Sequence, residues 1–238
     1  MVLQGEALAI LARPGAAKMV ALPESVVPLP GPALLVAVHA PDSEALGPAG
    51  LGLFFARSAH LGVRPAFSVV FGVVGDAQAC MRLRSAMGLP IETGSLSWKA
   101  DGRNRELRWA EGGFTVGLRT GHFGFPALFV LRLAQGRADG PIMVPAKIAG
   151  LARTGRATVE AAQDGPLALL NGPHRGVVMA TARLVTRPAR QPVGLLSSLR
   201  APVLGPGPVG RTASRSAEAV PATTASRPDF GHLAGQAQ

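Results

Sequence analysis

Between Cys80 and Glu92 the chain places its most reactive side chains close together: Cys80, Arg84, the turn Gly88-Leu89-Pro90, then Ile91 and Glu92. An arginine can hold a carboxylate through two parallel N–H donors. A glutamate becomes a general acid or base when burial raises its pKa. Arg84 follows Cys80 by about one helical turn, and a neighbouring cation can activate a thiol. Elsewhere, Lys147 is flanked by Pro145, Ala146, Ile148 and Ala149, an apolar setting in which a buried amine would lose its proton and become nucleophilic. Each residue also has an ordinary alternative. Glu92 can be a salt-bridged or solvated turn residue, and Lys147 can lay its stem along an apolar edge with its head in water. Cys80 can be a small buried hydrophobe. Lys99, just before the "ADGRN" turn, reads as solvated surface.

Other chemistries leave no trace. There is no phosphate-binding glycine loop ahead of a helix, no H-E-x-x-H and no Gly-x-Ser-x-Gly elbow. His39, His60, His122, His174 and His232 stand far apart, without the close second ligand that a metal site requires. A single cysteine excludes an internal disulfide and a multi-cysteine metal site. We therefore expect no metal and no cofactor.

The best-signalled element is the helix from Asp76 to Met87, which carries Arg84. Asp76 is an N-cap residue, Gly88 suits the C′ position and Pro90 blocks continuation. At about 100° per residue, Ala79, Cys80, Leu83, Ala86 and Met87 share one face, with Arg84 on its flank. Ahead of it, "ALLVAVHA" (33–40), "LGLFFAR" (51–57) and "AFSVVFGVVG" (66–75) read as strands, whereas 1–32 reads as mixed, with its prolines enforcing extended or turn geometry. After it come hairpins turning at "DGRN" and "EGG", which set Trp98 and Trp109 on one buried face. Segments 127–134, 141–153, 156–162 and 176–186 continue the strand series. The fold class is mostly β (α+β): an antiparallel barrel or sandwich with one principal helix.

Composition sets the outer bounds. The 238 residues, 47% of them hydrophobic, can bury one core, and 30 Gly with 21 Pro imply short elements and many turns. The net charge of +10 comes from scattered arginines, only three bases being lysines (Lys18, Lys99, Lys147), with no basic run and no interleaved aromatics. That argues against a nucleic-acid partner. No apolar run approaches the ~20 residues that cross a bilayer, and the N-terminus lacks a basic n-region. We expect a cytoplasmic protein without a membrane partner. Residues 1–205 form a single domain, and 206–238, rich in Pro, Ala and Ser, form a disordered tail.

A strand, a short helix bearing Arg84, then Gly88-Leu89-Pro90 and a hairpin resemble the acetoacetate decarboxylase-like family, whose signature reads roughly Gly-Arg-Glu-x-x-Gly-Phe-Pro-Lys-Lys. The order of "GDAQACMRLRSAMGLP", the "W-x-x-D-G" hairpin and "SLRAP" (198–202) extends the likeness over about residues 20 to 204. The resemblance implies a cone-like barrel with an internal pocket, and Schiff-base decarboxylation of a β-keto acid by a desolvated lysine. Here Ile91 and Glu92 stand where the two lysines belong, Leu83 and Ser85 flank the arginine, and "RPAFSVVFG" offers no pocket glutamate. Two readings follow. One is a pocket protein for a small apolar carboxylic or keto acid, with Arg84 as anion anchor and Gly88, Leu89, Pro90 and Ile91 beside it. The other is a divergent lyase or hydro-lyase using Glu92 as acid/base or Lys147 as a relocated amine. A homo-oligomer is compatible with both.

Overall fold

A computed structural model describes residues 1–12, 22 and 26–187. The expected tail over 206–238, the "SLRAP" segment, Lys18 and His232 lie outside the described residues. Those residues contain eleven strands and one α-helix: β1 (Val2–Ala12), β2 (Val27–His39), β3 (Leu51–Leu61), β4 (Arg64–Val74), α1 (Ala77–Met87), β5 (Ile91–Thr93), β6 (Leu96–Asp101), β7 (Asn104–Trp109), β8 (Phe114–Thr120), β9 (Phe125–Arg137), β10 (Gly140–Glu160) and β11 (Gly172–Thr186).

The ring β1-β2-β3-β4-β9-β10-β11 closes on itself through the β10–β11 ladder, making a seven-stranded barrel. The ring closes fully except between β4 and β9, where a single pair of residues joins the two strands. β10 is one continuous strand of 21 residues, where the sequence reads as two segments, 141–153 and 156–162. It crosses Thr154 and Gly155 unbroken because β11 pairs with it from Ala146 to Val159, while β9 covers Gly140–Ala152 and β8 takes over the same edge from Gly155 to Glu160. The small sheet β8-β7-β6 thereby leaves the barrel as a flap. Its Leu107, Phe114 and Val116 pack on Leu8, Leu35 and Phe55, all fully or almost fully buried. Trp98 and Trp109 join this cluster from one face, as diagonal neighbours, since Trp98 opposes Leu107 and Trp109 opposes Leu96.

The region 1–32 contains a full strand, β1, which composition conceals. Its Ala, Gln and Glu content is poor for a strand, and a bulge between Gly5 and Ala7 breaks the alternation. Gly5 has no substitute, because a Cβ there would lie 2.1 Å from the His39 carbonyl oxygen. A polar clasp joins β1 to the flap. Arg105 makes a two-point contact with Glu6 (2.9 Å each), and Trp98 Nε1 donates to the same carboxylate at 3.2 Å. This forked geometry fixes orientation as well as contact.

Closure between β4 and β9 is the weak seam: the two run parallel with one paired position, Phe67 opposite Leu133. The side chain of Gln135, fully buried, fills the gap. With its amide turned so that donor meets acceptor, its carboxamide oxygen accepts from the Val69 N–H (2.6 Å) and its NH2 donates to the Val69 carbonyl (3.3 Å), in place of a backbone partner. Further along, Gly72–Val74 pairs with β5. Replacing Gln135→Leu leaves two buried main-chain groups unpaired, so urea unfolding should show a loss of about 2–4 kcal/mol. A change below about 0.5 kcal/mol would mean that the amide does not hold the seam.

The flap carries its own titrating tether. Glu111 accepts from the Ser95 hydroxyl and from its N–H (2.9 and 3.0 Å). The Ser95 hydroxyl, above all, holds the Glu111 carboxyl below its ordinary 4.5. The ionised form is thus the better bonded one. Its contribution is present above about pH 4.5 and is lost as the pH falls through the lowered folded value. An NMR titration should find Glu111 titrating below 4.5, and Ser95→Ala should bring it back towards that value. An unchanged titration would assign the shift elsewhere.

Candidate functional site

The helix α1 forms as its caps dictate. Asp76 Oδ1 accepts from the Ala79 N–H at 2.7 Å, and Gly88 takes the left-handed φ of 64° while its N–H donates to the Arg84 carbonyl. A Cβ at Gly88 would meet the Gly136 carbonyl oxygen at 2.5 Å, so β9 also demands glycine there. The chain then turns Leu89 and Ile91 inward. Both are buried with Cys80, Leu83 and Met87 against Val69, Ile142 and Val144 at one end of the barrel. Cys80 is a small core residue, its Sγ 3.5 Å from the Ile91 carbonyl oxygen.

Arg84 Nε donates to that same carbonyl oxygen at 2.6 Å. It fastens the helix to β5, and its partner is the chain's own backbone. Pro90 and Glu92 are exposed, and Glu92 lies opposite Val73 in the β4–β5 ladder. Lys147 is exposed on β10 between Ala146, which is buried, and Ile148, which faces the barrel interior. Strand alternation therefore points the amine outward. Arg84, Gly88, Leu89 and Ile91 come together, whereas Glu92 and Lys147 do not join them in an enclosed space. Both side chains are open to water. Of the two positions that the family resemblance gives to lysines, Ile91 is 2% exposed in an apolar cluster and Glu92 is exposed.

A cavity of about 680 Å³ opens at the other end of the barrel. Ala7, Ala9, Leu34, Val36, Phe67 and Leu131 form its apolar walls, and Thr154, Arg156 and Arg175 stand at its mouth. Small residues on β1 (Ala7, Ala9) make this room, since larger side chains there would fill a barrel of seven strands. None of Arg84, Gly88, Leu89, Pro90, Ile91, Glu92 and Lys147 lines it. The arginines that do are separated in sequence by nineteen positions, in "RTGRATVE" and "PHRGVV", and only the β10–β11 register sets Arg156 opposite Arg175. No local signal marks them.

The histidines remain dispersed. His39 stacks on Trp98 (5.7 Å between centroids), His60 and His174 contact carbonyl oxygens at 2.7 Å, and His122 meets Arg103. Among the described residues no group of three His, Cys, Asp or Glu side chains could hold a metal.

With this geometry in view, known structures supply the fold. The chain superposes on acetoacetate decarboxylase from Legionella pneumophila with a TM-score of 0.56 and 13% identity, over 78% of this chain and 83% of that one. It superposes on the enduracididine biosynthesis enzyme MppR complexed with pyruvate with a TM-score of 0.55 and 17% identity, over 79% and 88%. The same enzyme, complexed with the condensation product of pyruvate and imidazole 4-carboxaldehyde, gives 0.53 and 16%, over 79% and 87%. No family model and no curated protein matches the sequence.

If Ile91 is packing rather than vestigial chemistry, Ile91→Lys buries an unpaired ammonium and should cost about 3–5 kcal/mol in urea unfolding. Lys147→Met, on the outer surface, should stay within about 0.5 kcal/mol of the parent. Equal stability of Ile91→Lys and the parent would show that the position is wet and open to an amine.

Proposed function

From its acetoacetate decarboxylase-like fold and the cavity in its barrel, we propose that this chain is a pocket protein for an apolar carboxylic or keto acid. The acid's tail lies among Ala9, Val36, Phe67 and Leu131, and its carboxylate meets Arg156 and Arg175. The observation that carries this reading is an apolar cavity whose mouth ends on two arginines. Its volume falls within the ~300–1,000 Å³ of small-molecule sites. Arginine matches a carboxylate in charge and in shape, and neither side chain has a hydrogen-bond or ion-pair partner among the described residues. The anchoring role moves from Arg84, whose Nε is bonded to Ile91, to the arginines at the cavity. The pyruvate complex of MppR is consistent with an acid ligand on this fold.

Standard Schiff-base decarboxylation is not part of this reading. That reaction needs a neutral amine inside the pocket, and Ile91 and Glu92, neither of which can form an imine, stand where the resemblance sets the two lysines. In the lyase alternative, Glu92 or Lys147 would act from the exposed surface. No helix among the described residues is long and apolar enough to cross a membrane.

Calorimetric titration with decanoate, an acid of the right polarity to probe the cavity, tests the proposal. The parent chain should bind it, and Arg156→Gln with Arg175→Gln should weaken binding by about tenfold or more, the worth of a charge-assisted bond. Ala9→Trp should abolish binding by filling the cavity. Borohydride reduction with pyruvate should leave no adduct on Lys99 or Lys147. An adduct there, or decanoate binding indifferent to Ala9→Trp, would overturn the reading.

A further inference from the structure

Arg156 and Arg175 do not stand alone. In the β8–β10 ladder Arg156 lies opposite Arg119, and in the β10–β11 ladder it lies opposite Arg175. Residues directly opposite in a sheet point to the same face, about 5 Å apart. Three arginines on three adjacent strands therefore form one cross-strand row. The row shares its face with Thr154 and Val177, which line the cavity, so it runs from the cavity mouth onto the flap.

Like charges directly opposite one another destabilise a sheet unless a counter-charge lies between them. Some arginines of this chain have partners, Arg105 with Glu6, Arg137 with Asp139, and Arg82 and Arg84 with carbonyl oxygens, whereas others, such as Arg64, Arg108 and Arg132, have none among the described residues. Arg119, Arg156 and Arg175 are all exposed and have no hydrogen-bond or ion-pair partner among the described residues. Acids on their face are few. Glu106 lies opposite Gly117 and across from Lys99, Asp101 lies beyond Asn104 in line with Arg119, and Glu160 is four residues along β10 from Arg156. None of the three forms an ion pair with the row. A carboxylate has two oxygens and one charge, which Arg156 and Arg175 satisfy at the mouth. Arg119, beyond the cavity lining, is left over.

We propose that this row is a head-group site for a dianion, and that the preferred occupant of the cavity is a single-chain amphiphile with a phosphate monoester head. This rests on the pocket reading above, keeping its cavity and apolar tail and exchanging its carboxylate head for a phosphate. Three acceptor oxygens and a charge near −2 let a phosphate engage three guanidinium groups at once. The tail then descends between Ala9 and Leu131, and the head lies across β8, β10 and β11.

Titration of the full chain at pH 8 with decyl phosphate, decanoate and inorganic phosphate tests this. Decyl phosphate should bind at least about tenfold more tightly than decanoate, and inorganic phosphate should bind more weakly than either, for want of a tail. Arg119→Gln should lower decyl phosphate affinity about tenfold and change decanoate affinity less than about twofold. Arg64→Gln, an equal loss of charge at the exposed β3–β4 turn, should change neither. Equal affinities for the two amphiphiles would overturn the dianion site while leaving the pocket reading intact. An equal response of both to Arg119→Gln would do the same. Inorganic phosphate binding as tightly as decyl phosphate would overturn the amphiphile and assign the row to free phosphate. Binding of neither amphiphile would remove the pocket reading along with this one.

Discussion

The register of β10 against β11 is the constraint on which the rest of the molecule depends. These two strands close the ring, and with β10 continuing past Ala152 they also launch the flap. A slip of one residue would turn every side chain of β10 over. Ala157 and Val159 would leave the core beneath the flap, and Thr154 and Arg156 would leave the cavity mouth. Fold and site are thus set by a single alignment. Several irregularities help to pin it, including the bulge between Ala149 and Ala152 and the one between Gly5 and Ala7 on the neighbouring pair.

That alignment also separates two ends of the barrel that serve different purposes. At one end α1, Leu89 and Ile91 pack into a closed apolar cluster, and Arg84 ties the helix to β5 through the Ile91 carbonyl. At the other, alanines on β1 leave a cavity. On a fold shared with a decarboxylase, Leu89 and Ile91 beside Arg84 are packed into the apolar core. The open space ends on arginines instead. Fold carries function poorly on its own, and here it is the distribution of charge and volume that distinguishes the two ends.

The sequence made the local elements legible and left the non-local ones hidden. α1 is readable from Asp76, Gly88 and Pro90 because each cap acts within a few residues of itself, and the structure agrees at both termini. The hairpins at Asp101-Gly102 and Glu111-Gly112-Gly113 are readable for the same reason. β1 is not, since its glutamate suits a strand only once Arg105 lies over it, and Ala7 and Ala9 only once the barrel closes round them. Nor is the length of β10, because what carries it through Thr154-Gly155 is a partner on each side. Gln135 is the extreme case: a polar residue in an apolar strand whose purpose is visible only when Val69 stands opposite.

The site follows the same logic, which explains why its candidates moved. Arg84, Glu92 and Lys147 attract attention because chemistry-bearing side chains stand near turns or apolar neighbours in sequence. Burial is decided elsewhere, however, and strand alternation alone turns Lys147 out while Ile148 turns in. Arg119, Arg156 and Arg175 have no such local mark. Each is one arginine among many in a strongly basic chain, and only sheet pairing collects them. A row of like charges is costly to fold unless something binds there, so keeping three arginines in register makes most physical sense when an anion shares the sheet face with them. The apolar hollow beside the row supplies the other half of that anion's description.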